Sequence, residues 1–412
     1  MYKRYILKDI IESLENQPVV LINGARQVGK STFIQESLSK KIGLDYVTLD
    51  DDQDLLSLQG DPVSFLKQYN RLVAIDEIQR APDIFIPLKK IVDEQKKYGQ
   101  FLLTGSANVL MLPKLSESLA GGMMIYTMWP LSQSEIRDLP SHNFINKIFQ
   151  KDAIFKNTEE LSDDEWSEIL IKGGYPASLR SKTHKQRNIW FKSYLATILQ
   201  RDIKTLSDIE GLREIPNILS ILATRVGNFI NLSDVGRVSR IKTTTMQRYF
   251  ALLKMVFLIL DVPGWYTNRE KRLVKSPKVF LNDTGLLCHL LGLDRDALKS
   301  NKTLGGHVFE NFICMELVKQ MGWSDVNAEL HHFRTHTGQE VDFVLEGPEG
   351  KIVGIEVKYK KSCNLSDLSG LKKLKELSGE KFYKGIILYQ GNKPIFMDKD
   401  IVALPAASLW EK

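Results

Sequence analysis

The stretch that most constrains the fold of this chain lies near its N-terminus, from Pro18 to Phe33, and reads PVVLINGARQVGKSTF. Val19 to Ile22 is a short apolar run with two β-branched valines, which predicts a buried central strand. The residues that follow fit G-x-x-x-x-G-K-[ST] without a gap, and Thr32 and Phe33 continue into a predicted helix. A strand, this loop and a helix in this order predict a phosphate-binding P-loop.

The chemistry of phosphate binding explains the residue types in this loop. Gly24 and Gly29 allow backbone N–H groups to turn toward a phosphate, and the start of the helix adds its positive dipole end. Lys30 is expected to reach the β- and γ-phosphates of ATP, and Ser31 to bind Mg²⁺. The predicted nucleotide-binding residues of the loop are Gly24, Ala25, Arg26, Gln27, Val28, Gly29, Lys30, Ser31 and Thr32.

A second apolar segment, RLVAIDE at residues 71–77, ends in two acids and places Asp76 46 residues after Lys30. We expect Asp76 to hold Mg²⁺ through water and Glu77 to polarise the attacking water, so Lys30, Asp76 and Glu77 are the predicted catalytic set. A third segment, FLLTGS at residues 101–106, runs into small polar residues. Thr104 and Ser106 are therefore candidate nucleotide sensors, and the alternative is an ordinary turn at the end of a strand.

Strands that alternate with helical segments predict an α/β fold with a parallel sheet covered on both faces, and its site lies at the carboxyl ends of the strands. Pro and Ser break this pattern near Trp129 to Ser132. We expect a P-loop domain over residues 1–135, a helical segment over 136–206, a winged-helix region over 207–300 and a C-terminal domain over 301–412.

Composition favours a cytoplasmic protein that has no membrane partner. The three cysteines, Cys288, Cys314 and Cys363, lie far apart without C-x-x-C spacing, which predicts a reducing compartment and no structural zinc. The first 17 residues are typical of an amphipathic helix and not of a secretory signal. The longest apolar run, 251–262, is interrupted by Lys254 and is too short to span a bilayer.

Positive charge is concentrated in one region, since Ser181 to Phe280 holds 18 Lys and Arg against 7 Asp and Glu, whereas the whole chain carries a net charge of +6. A concentrated basic region favours a polyanionic partner, DNA in the first place. The alternative is a solvated basic surface.

Within this region, residues 215–281 predict a winged helix-turn-helix. Helices are expected over 215–226, 232–238 and 243–257, and strands 258–262 and 278–281 are expected to pair as a hairpin. Polar and basic residues at the start of a recognition helix reach base edges and phosphates. The predicted DNA contacts of the helix are Arg240, Lys242, Thr243, Thr244, Gln247 and Arg248. Those of the hairpin tip are Arg269, Lys271, Arg272 and Lys275. Winged helices also serve as protein–protein modules, so that interpretation stays open.

The last hundred residues contain a D…E-x-K pattern, with Asp342 in one predicted strand and Glu356 and Lys358 on one face of the next. Together with Glu310 on an upstream helix, Asp342 and Glu356 are predicted ligands of Mg²⁺ or Mn²⁺, and Asp342, Glu356 and Lys358 are the predicted catalytic residues of a nuclease-type site. Cleavage and loss of cleavage both remain open. The histidines without ligand spacing are expected at the surface; they are His331, His332 and His336.

Taken together, these motifs resemble a known family. GARQVGKST, VAIDEIQRAP, FLLTGSAN, GGYP, LVKSPKVFLNDTGL and FRTHTGQEVDFVLE followed by EVK are similar to segments of prokaryotic AAA-type (AAA+) ATPases that carry a C-terminal endonuclease-like domain of unknown function. The resemblance implies an AAA+ core, a winged helix and a PD-(D/E)XK, restriction-endonuclease-like end. Gly122 stands where such proteins usually have arginine, so the resemblance assigns no phosphate-sensing residue there.

The leading hypothesis is an ATP-hydrolysing, DNA-binding homo-oligomer that remodels or moves on DNA, coupled to metal-dependent cleavage. The alternative is a nucleotide-operated switch or scaffold whose C-terminal domain binds a partner without cutting. AAA+ chemistry usually needs an arginine from a neighbouring subunit, for which Arg201 is a candidate. A local Arg201–Asp202 ion pair is the favoured interpretation of that residue.

Overall fold

The computed structural model of the 412-residue chain describes residues 1–108, 122–141, 143–203, 212–267 and 276–411. The N-terminal unit comprises Met1–Leu131, Ala196–Ile209 and Ala251–Leu258, and the C-terminal unit comprises Ser132–Leu195, Glu210–Phe250 and Ile259–Lys412. Because residues 196–209 and 251–258 group with the N-terminal unit, the segments 136–206 and 207–300, expected as separate domains, are each shared between two units.

The strands of the N-terminal unit form where the sequence is apolar. They are β1 (Val19–Asn23), β2 (Asp45–Thr48), β3 (Val73–Asp76), β4 (Phe101–Gly105) and β5 (Met123–Thr127). All neighbouring pairs are parallel, in the order β2-β3-β4-β1-β5. The three central strands are buried along their whole length, as strands covered on both faces must be. The predicted α/β class with a parallel sheet is confirmed, and β5 is a strand that the sequence patterns did not predict.

The strand order decides which residues meet at the edge of this sheet. β4 lies between β1 and β3, so Thr104 pairs with Ile22 of β1 and Leu103 pairs with Ile75 of β3. Carboxyl ends of parallel strands share one edge. The loop after β1, the acids at the end of β3 and the polar end of β4 therefore lie side by side.

Helices cover the sheet of the N-terminal unit. They are α1 (Leu7–Asn16), α2 (Lys30–Thr32), which continues through a π-helical segment (Phe33–Leu38) into α3 (Ser39–Ile42), and α4 (Asp52–Gly60), α5 (Pro62–Lys67) and α6 (Phe85–Gln95). Shorter turns are the 3₁₀ turns Ile78–Arg80 and Pro82–Ile84 and a π-helical turn, Ile198–Ile203. Ile10 and Leu14 of α1 are buried, as its amphipathic pattern predicts. Leu58, Phe65 and Leu88 join Val19 and Ile75 in one hydrophobic core.

The helices of the C-terminal unit are α7 (Gln133–Ile136), α8 (Phe144–Ile148), α9 (Asp163–Lys172), α10 (Pro176–Arg180), α11 (His184–Thr197), α12 (Ile215–Ala223), α13 (Leu232–Ser239), α14 (Thr243–Met255), α15 (Thr284–Leu291), α16 (Arg295–Ser300), α17 (Lys302–Met321) and α18 (Ser369–Ser378). Its 3₁₀ turns are Leu212–Glu214, Pro348–Gly350, Leu365–Leu368, Gly379–Lys381 and Ala406–Leu409. α11 and α14 extend past the residues assigned to this unit.

Helices α12 to α14 coincide closely with the three helices predicted in the basic region. Asn231 caps α13 through the backbone N–H groups of Ser233 and Asp234. Arg240 caps the C-terminal end of α13 with a φ of 58°, and Ile241 N donates to Gly236 O at 2.8 Å, so α14 follows after a short turn.

Two short strands follow this helical region. β6 (Ile259–Val262) and β7 (Lys278–Leu281) pair antiparallel, which confirms the predicted strand pairing. The predicted basic tip between them, Arg269, Lys271, Arg272 and Lys275, lies outside the described residues.

The C-terminal unit also contains a mixed six-stranded sheet. Its strands are β8 (Glu329–Arg334), β9 (Glu340–Glu346), β10 (Ile352–Lys358), β11 (Phe382–Tyr389), β12 (Ile395–Asp398) and β13 (Ile401–Pro405), in the order β12-β13-β11-β10-β9-β8. β10, β11 and β13 run parallel, and the other pairs are antiparallel. Leu371 and Leu374 of α18 pack in one core with Val341, Val344 and Ile387. A C-terminal α/β sheet domain is therefore present.

Within the described parts of the chain, no helix is both long and apolar enough to cross a membrane.

Candidate functional site

The loop after β1 takes a backbone path that requires glycine. Gly24 has φ 144°, and a Cβ atom there would lie 2.1 Å from Met128 O. Gly29 has φ 100°, in the region that side chains rarely adopt, and it immediately precedes the helix that begins at Lys30. The two glycines of the motif thus let the loop turn tightly between strand and helix.

The Lys30 ammonium is buried inside this loop, with 6% of the residue exposed. Its Nζ donates to Gly24 O at 2.8 Å and to Ala25 O at 3.0 Å. Burial lowers the pKa of Lys30 to about 8, although Glu77 and Asp76 act in the opposite direction. A buried cation held mainly by carbonyl oxygens is poorly compensated, and an anion at this point would stabilise it.

Asp76, at the end of β3, accepts hydrogen bonds from hydroxyl groups on three other elements. Its Oδ2 accepts hydrogen bonds from Ser31 Oγ and from the Tyr46 hydroxyl, each at 2.6 Å. Its Oδ1 accepts from Thr104 Oγ1 and, at 3.0 Å, from Glu77 N. These bonds fix both oxygens of a buried carboxylate beside the P-loop helix.

Glu77 follows Asp76 in the left-handed region, with φ 59° and ψ 43°. Such a conformation is strained for a residue other than glycine and recurs at functional sites. Gln79 Nε2 donates to Glu77 Oε2 and, at 2.9 Å, to Ser106 Oγ, while Ser106 Oγ lies 3.4 Å from Glu77 Oε2. Ser106 after β4 and Gln79 in the turn after β3 therefore both position the Glu77 carboxylate.

Charged residues line a cavity of about 150 Å³ in the N-terminal unit, next to Glu77. Its lining residues are Arg26, Asp50, Glu77, Gln79, Arg80, Ser106, Ala107, Arg201 and Asp202. Arg26 Nε of the P-loop pairs with Asp202 Oδ2 at 3.1 Å, and Arg201 pairs with Asp50. Burial raises the pKa of Asp202, and Arg26 acts against this rise. The predicted local ion pair between Arg201 and Asp202 is therefore wrong. Arg201 pairs with Asp50 instead, and Asp202 pairs with Arg26.

The residues present fit a nucleotide with a magnesium ion. The Ser31 hydroxyl and the Asp76 carboxylate lie 2.6 Å apart, and oxygen ligands of these types are the ones that Mg²⁺ prefers. The Lys30 ammonium, the glycine path and the helix start supply the positive environment that phosphate needs.

Three residues of this site were missed from the sequence alone. Tyr46 and Gln79 hold Asp76 and Glu77, and Asp202 pairs with Arg26. A strand was predicted at Tyr46, but only the pairing of Thr48 with Asp76 brings the end of β2 beside the acids. Gln79 follows Glu77 by two residues and is the one that a close inspection of the motif could have found.

Comparison with known protein families bears on the segment that holds this site. Residues 16–137 match the model of a family described as an AAA domain. The matched segment contains the P-loop, Tyr46, both acids and the polar end of β4, so all the geometry described above except Arg201 and Asp202 lies within it.

Two further family models match later segments of the chain, and both are described as domains of unknown function. DUF8612 matches residues 163–297 and DUF4143 matches residues 305–409. Among curated relatives, the uncharacterized proteins Rv2008c of Mycobacterium tuberculosis and Mb2031c of Mycobacterium bovis are each 29% identical over 398 residues, covering 96% of this chain and 81% of theirs.

Solved structures similar to this chain include RuvB of Thermotoga maritima, whose T158V variant is 16% identical with a TM-score of 0.28, covering 66% of this chain and 94% of that one. A McrB assembly of Thermococcus gammatolerans with bound McrC is 11% identical with a TM-score of 0.23, covering 69% and 74%. At TM-scores of this size the likeness carries no argument about assembly or ligand.

Outside the segment that matches the AAA model, the predicted DNA contacts of the helical region share one property. All six side chains are exposed, and they lie at the end of α13, in the turn and in the first two turns of α14. They are Arg240, Lys242, Thr243, Thr244, Gln247 and Arg248. Met246 and Tyr249 of the same helix are buried, so α14 presents its polar side to solvent.

The predicted nuclease-type residues also lie together in the C-terminal unit, but ion pairs and a backbone amide engage them. Lys278 Nζ lies 3.0 Å from Glu310 Oε1 and 3.5 Å from Asp342 Oδ1, and Lys358 Nζ donates to Glu356 Oε1 at 2.6 Å. Lys278 was not a predicted site residue. Across the described residues, no group of three or more His, Cys, Asp or Glu side chains is arranged to hold a metal ion. The magnesium site on Glu310, Asp342 and Glu356 stays a prediction.

Two of the three histidines expected at the surface are buried, so that expectation is wrong for His331 and His332, which are 5% and 1% exposed. The segment from Pro263 to Trp265 hydrogen-bonds the backbone of His332, and Phe229 packs edge-on against its ring. Burial lowers the pKa of His332 to about 3, so the ring is neutral. His336 is exposed, as predicted.

Proposed function

We propose that residues 16–137 form an AAA domain that binds ATP and hydrolyses it to ADP and phosphate. The observation that supports this most strongly is the carboxylate of Asp76, which accepts hydrogen bonds from Ser31 of the P-loop helix, Tyr46 of β2 and Thr104 of β4. Hydroxyl groups from three other elements thus converge on one carboxylate, directly beside a buried lysine.

In this proposal each side chain has a defined task. Lys30 binds the β- and γ-phosphates, and the N–H groups of residues 24–30 surround them. Ser31 and Asp76 would hold Mg²⁺, which neutralises developing charge on the phosphate oxygens. Tyr46 and Thr104 orient Asp76. Thr104 is then a structural partner of the acid, and Ser106, bonded to Gln79 near Glu77, is the better candidate sensor.

Glu77 is the proposed general base. Its carboxylate takes a proton from water while the water oxygen bonds to the γ-phosphorus and the bond from that phosphorus to the β–γ bridging oxygen breaks, which yields ADP and phosphate. Gln79 and Ser106 position the carboxylate through the hydrogen bonds described above.

Two substitutions test this proposal. Lys30→Ala is expected to abolish binding of a fluorescent ATP analogue, and Glu77→Gln to retain binding while phosphate release falls at least roughly a hundredfold. Lys40→Ala is the matched control, because Lys40 follows on the same helical segment but is exposed and pairs with Glu36. Normal turnover by Glu77→Gln would overturn the assignment of the base, and normal binding by Lys30→Ala would overturn the site.

A second candidate function is DNA binding through α13 and α14. Its support is the exposure of all six predicted contacts around one short turn, in a region with 18 basic and 7 acidic residues. Exposed Lys and Arg bind phosphates, and Thr and Gln at a helix start can reach base edges. In this proposal ATP hydrolysis serves remodelling of, or movement on, DNA.

Turnover with single-stranded, duplex and branched DNA separates this proposal from a nucleotide-operated switch or scaffold. The DNA proposal requires stimulated hydrolysis and salt-dependent affinity. The scaffold interpretation requires neither, and in it the C-terminal domain binds a partner without cutting DNA.

Two further predictions concern assembly and DNA cleavage. A homo-oligomer in which Arg201 completes a neighbour's site would require Arg201 to leave Asp50, and sedimentation with and without ATP tests it. Metal-dependent cleavage by the C-terminal unit would require the ammonium groups of Lys278 and Lys358 to leave the predicted ligands.

A further inference from the structure

A single lysine lies among three carboxylates in the C-terminal unit. Lys278 on β7 is 1% exposed, and its Nζ lies 2.8 Å from Glu340 Oε1, 3.0 Å from Glu310 Oε1 and 3.5 Å from Asp342 Oδ1. Glu310 comes from α17, and Glu340 and Asp342 come from one face of β9. One positive charge thus occupies the point at which three acids meet.

The backbone around Lys278 fixes this arrangement. Lys278 pairs with Val262 of β6, and Gly227 N donates to Val279 O at 3.0 Å. A Cβ atom on Gly227 would lie 2.7 Å from Glu310 Oε2, and its φ of 75° also favours glycine. The backbone of Gly227 therefore lies against Glu310 Oε2, and it is also hydrogen-bonded to β7, the strand that carries Lys278.

The charges explain why the lysine stays in this position. Burial lowers the pKa of Lys278, but Glu310, Asp342 and Glu340 outweigh burial and leave the pKa above its ordinary value. An unpaired ammonium in this position would be costly, and three acids around an empty point would repel one another. The ammonium group therefore stabilises the three carboxylates, and the carboxylates stabilise the buried ammonium group.

Two more oxygens of the predicted metal ligands have partners, whereas Glu356 Oε2 is buried and has no hydrogen-bond partner among the described residues. Asp342 Oδ2 accepts from Val357 N at 2.8 Å, and Glu356 Oε1 accepts from Lys358 Nζ. A magnesium ion takes oxygen ligands in near-ideal octahedral geometry and cannot share this point with an ammonium group. As placed, these residues do not fit a divalent ion.

We propose that Lys278 is the resident cation of this cluster and takes the place of a divalent metal ion, and that replacing it with a neutral side chain creates a divalent-cation site on Glu310, Glu340 and Asp342. The wild-type C-terminal unit then carries no metal at these acids. The sequence pattern D…E-x-K is retained, but Lys278 already neutralises carboxylates that would otherwise hold a metal ion beside a phosphodiester.

The test is Mn²⁺ binding by the nucleotide-free, full-length protein, measured by electron paramagnetic resonance of free Mn²⁺. Wild type and Asp342→Asn are compared first, because Asn keeps an oxygen acceptor for Val357 N. We expect identical binding curves. A wild-type Mn²⁺ site that Asp342→Asn removes would overturn the proposal, and this comparison decides it even if a lysine variant does not fold.

The second comparison uses Lys278→Met and Lys278→Gln. We expect either variant to gain one Mn²⁺ site at least roughly tenfold tighter than any in wild type, to lose it on addition of Asp342→Asn, and to gain thermal stability with Mn²⁺. Lys319→Met is the matched control, since Lys319 is also buried and pairs with the Glu316 carboxylate at 2.9 Å, away from the predicted metal ligands. A folded Lys278 variant without an Asp342-dependent site would overturn the second half of the proposal.

Discussion

The hydroxyl of Tyr46 donates to Oδ2 of Asp76 at 2.6 Å, onto the same carboxylate oxygen that accepts from Ser31. Burial and the neighbouring Asp76 raise the pKa of Tyr46, so the phenol stays protonated and remains a donor throughout the working range of pH. An aromatic residue of β2 thereby sets the orientation of the acid that we propose to act with Mg²⁺.

Tyr46→Phe tests this relationship. Loss of a hydrogen bond to a charged group costs about 1.5–3 kcal/mol, so we expect kcat/KM for ATP to fall roughly tenfold or more. The Mg²⁺ concentration for half-maximal turnover should rise. Tyr98→Phe, at a tyrosine that is 66% exposed, is the control. Unchanged magnesium dependence in Tyr46→Phe would mean that Ser31 and Thr104 orient Asp76 without help.

Gly24→Ala probes the path of the P-loop. The added Cβ would approach Met128 O to 2.1 Å at a φ of 144°, so we expect the free energy of unfolding to fall by roughly 2–4 kcal/mol and nucleotide binding to be abolished. Gly43→Ala is the matched control, since Gly43 also has a positive φ but a Cβ there would meet no described atom within 4 Å. Its cost should be about 1 kcal/mol. Equal losses in urea unfolding would contradict the packing argument.

The Lys30 ammonium predicts a dependence of stability on pH. The unfolded chain holds this proton up to the ordinary lysine pKa of 10.5, and the folded chain holds it only to a pKa of about 8. Between these values the unfolded state binds more protons, so the contribution of Lys30 to the free energy of unfolding rises with pH. The full rise is roughly 3 kcal/mol.

Urea unfolding from about pH 7 to 10.5 gives the free energy of unfolding of wild type and of Lys30→Met. The rise contributed by Lys30 is the change with pH in the difference between these two free energies. Lys40→Met supplies the exposed comparison from the same helical segment. A difference between wild type and Lys30→Met that stays constant with pH would show that the buried ammonium is fully compensated in the folded state.

The exposed face of α14 predicts the salt dependence of DNA binding. Lys242→Ala with Arg248→Ala should weaken binding to every DNA sequence, and the slope of log K against log salt should become shallower by about one for each phosphate that is no longer neutralised. The charge-matched control is Lys372→Ala with Lys381→Ala, two exposed lysines on the C-terminal sheet domain. The same drop in affinity in both double variants would reveal a general charge effect and no specific face.

Local sequence is sufficient to locate much of this molecule. Motif spacing and periodicity predict the P-loop, the Asp76–Glu77 pair, the three helices of the basic region and the β6–β7 pairing. Each depends on residues close together in the chain, or on strand patterns that are evident segment by segment, where the sequence reflects the backbone directly. The alternation that puts Glu356 and Lys358 on one face of β10 is of the same kind.

What only the tertiary structure decided are the pairings between distant residues. Tyr46 reaches Asp76 because β2 lies beside β3, and Arg26 bonds Asp202 from 176 positions away. Lys278 enters the acid cluster because β7 brings it against α17 and β9, and His332 is buried because the segment 263–265 covers it. Such contacts depend on strand order and on how helices pack over a sheet, which no local pattern of residues encodes.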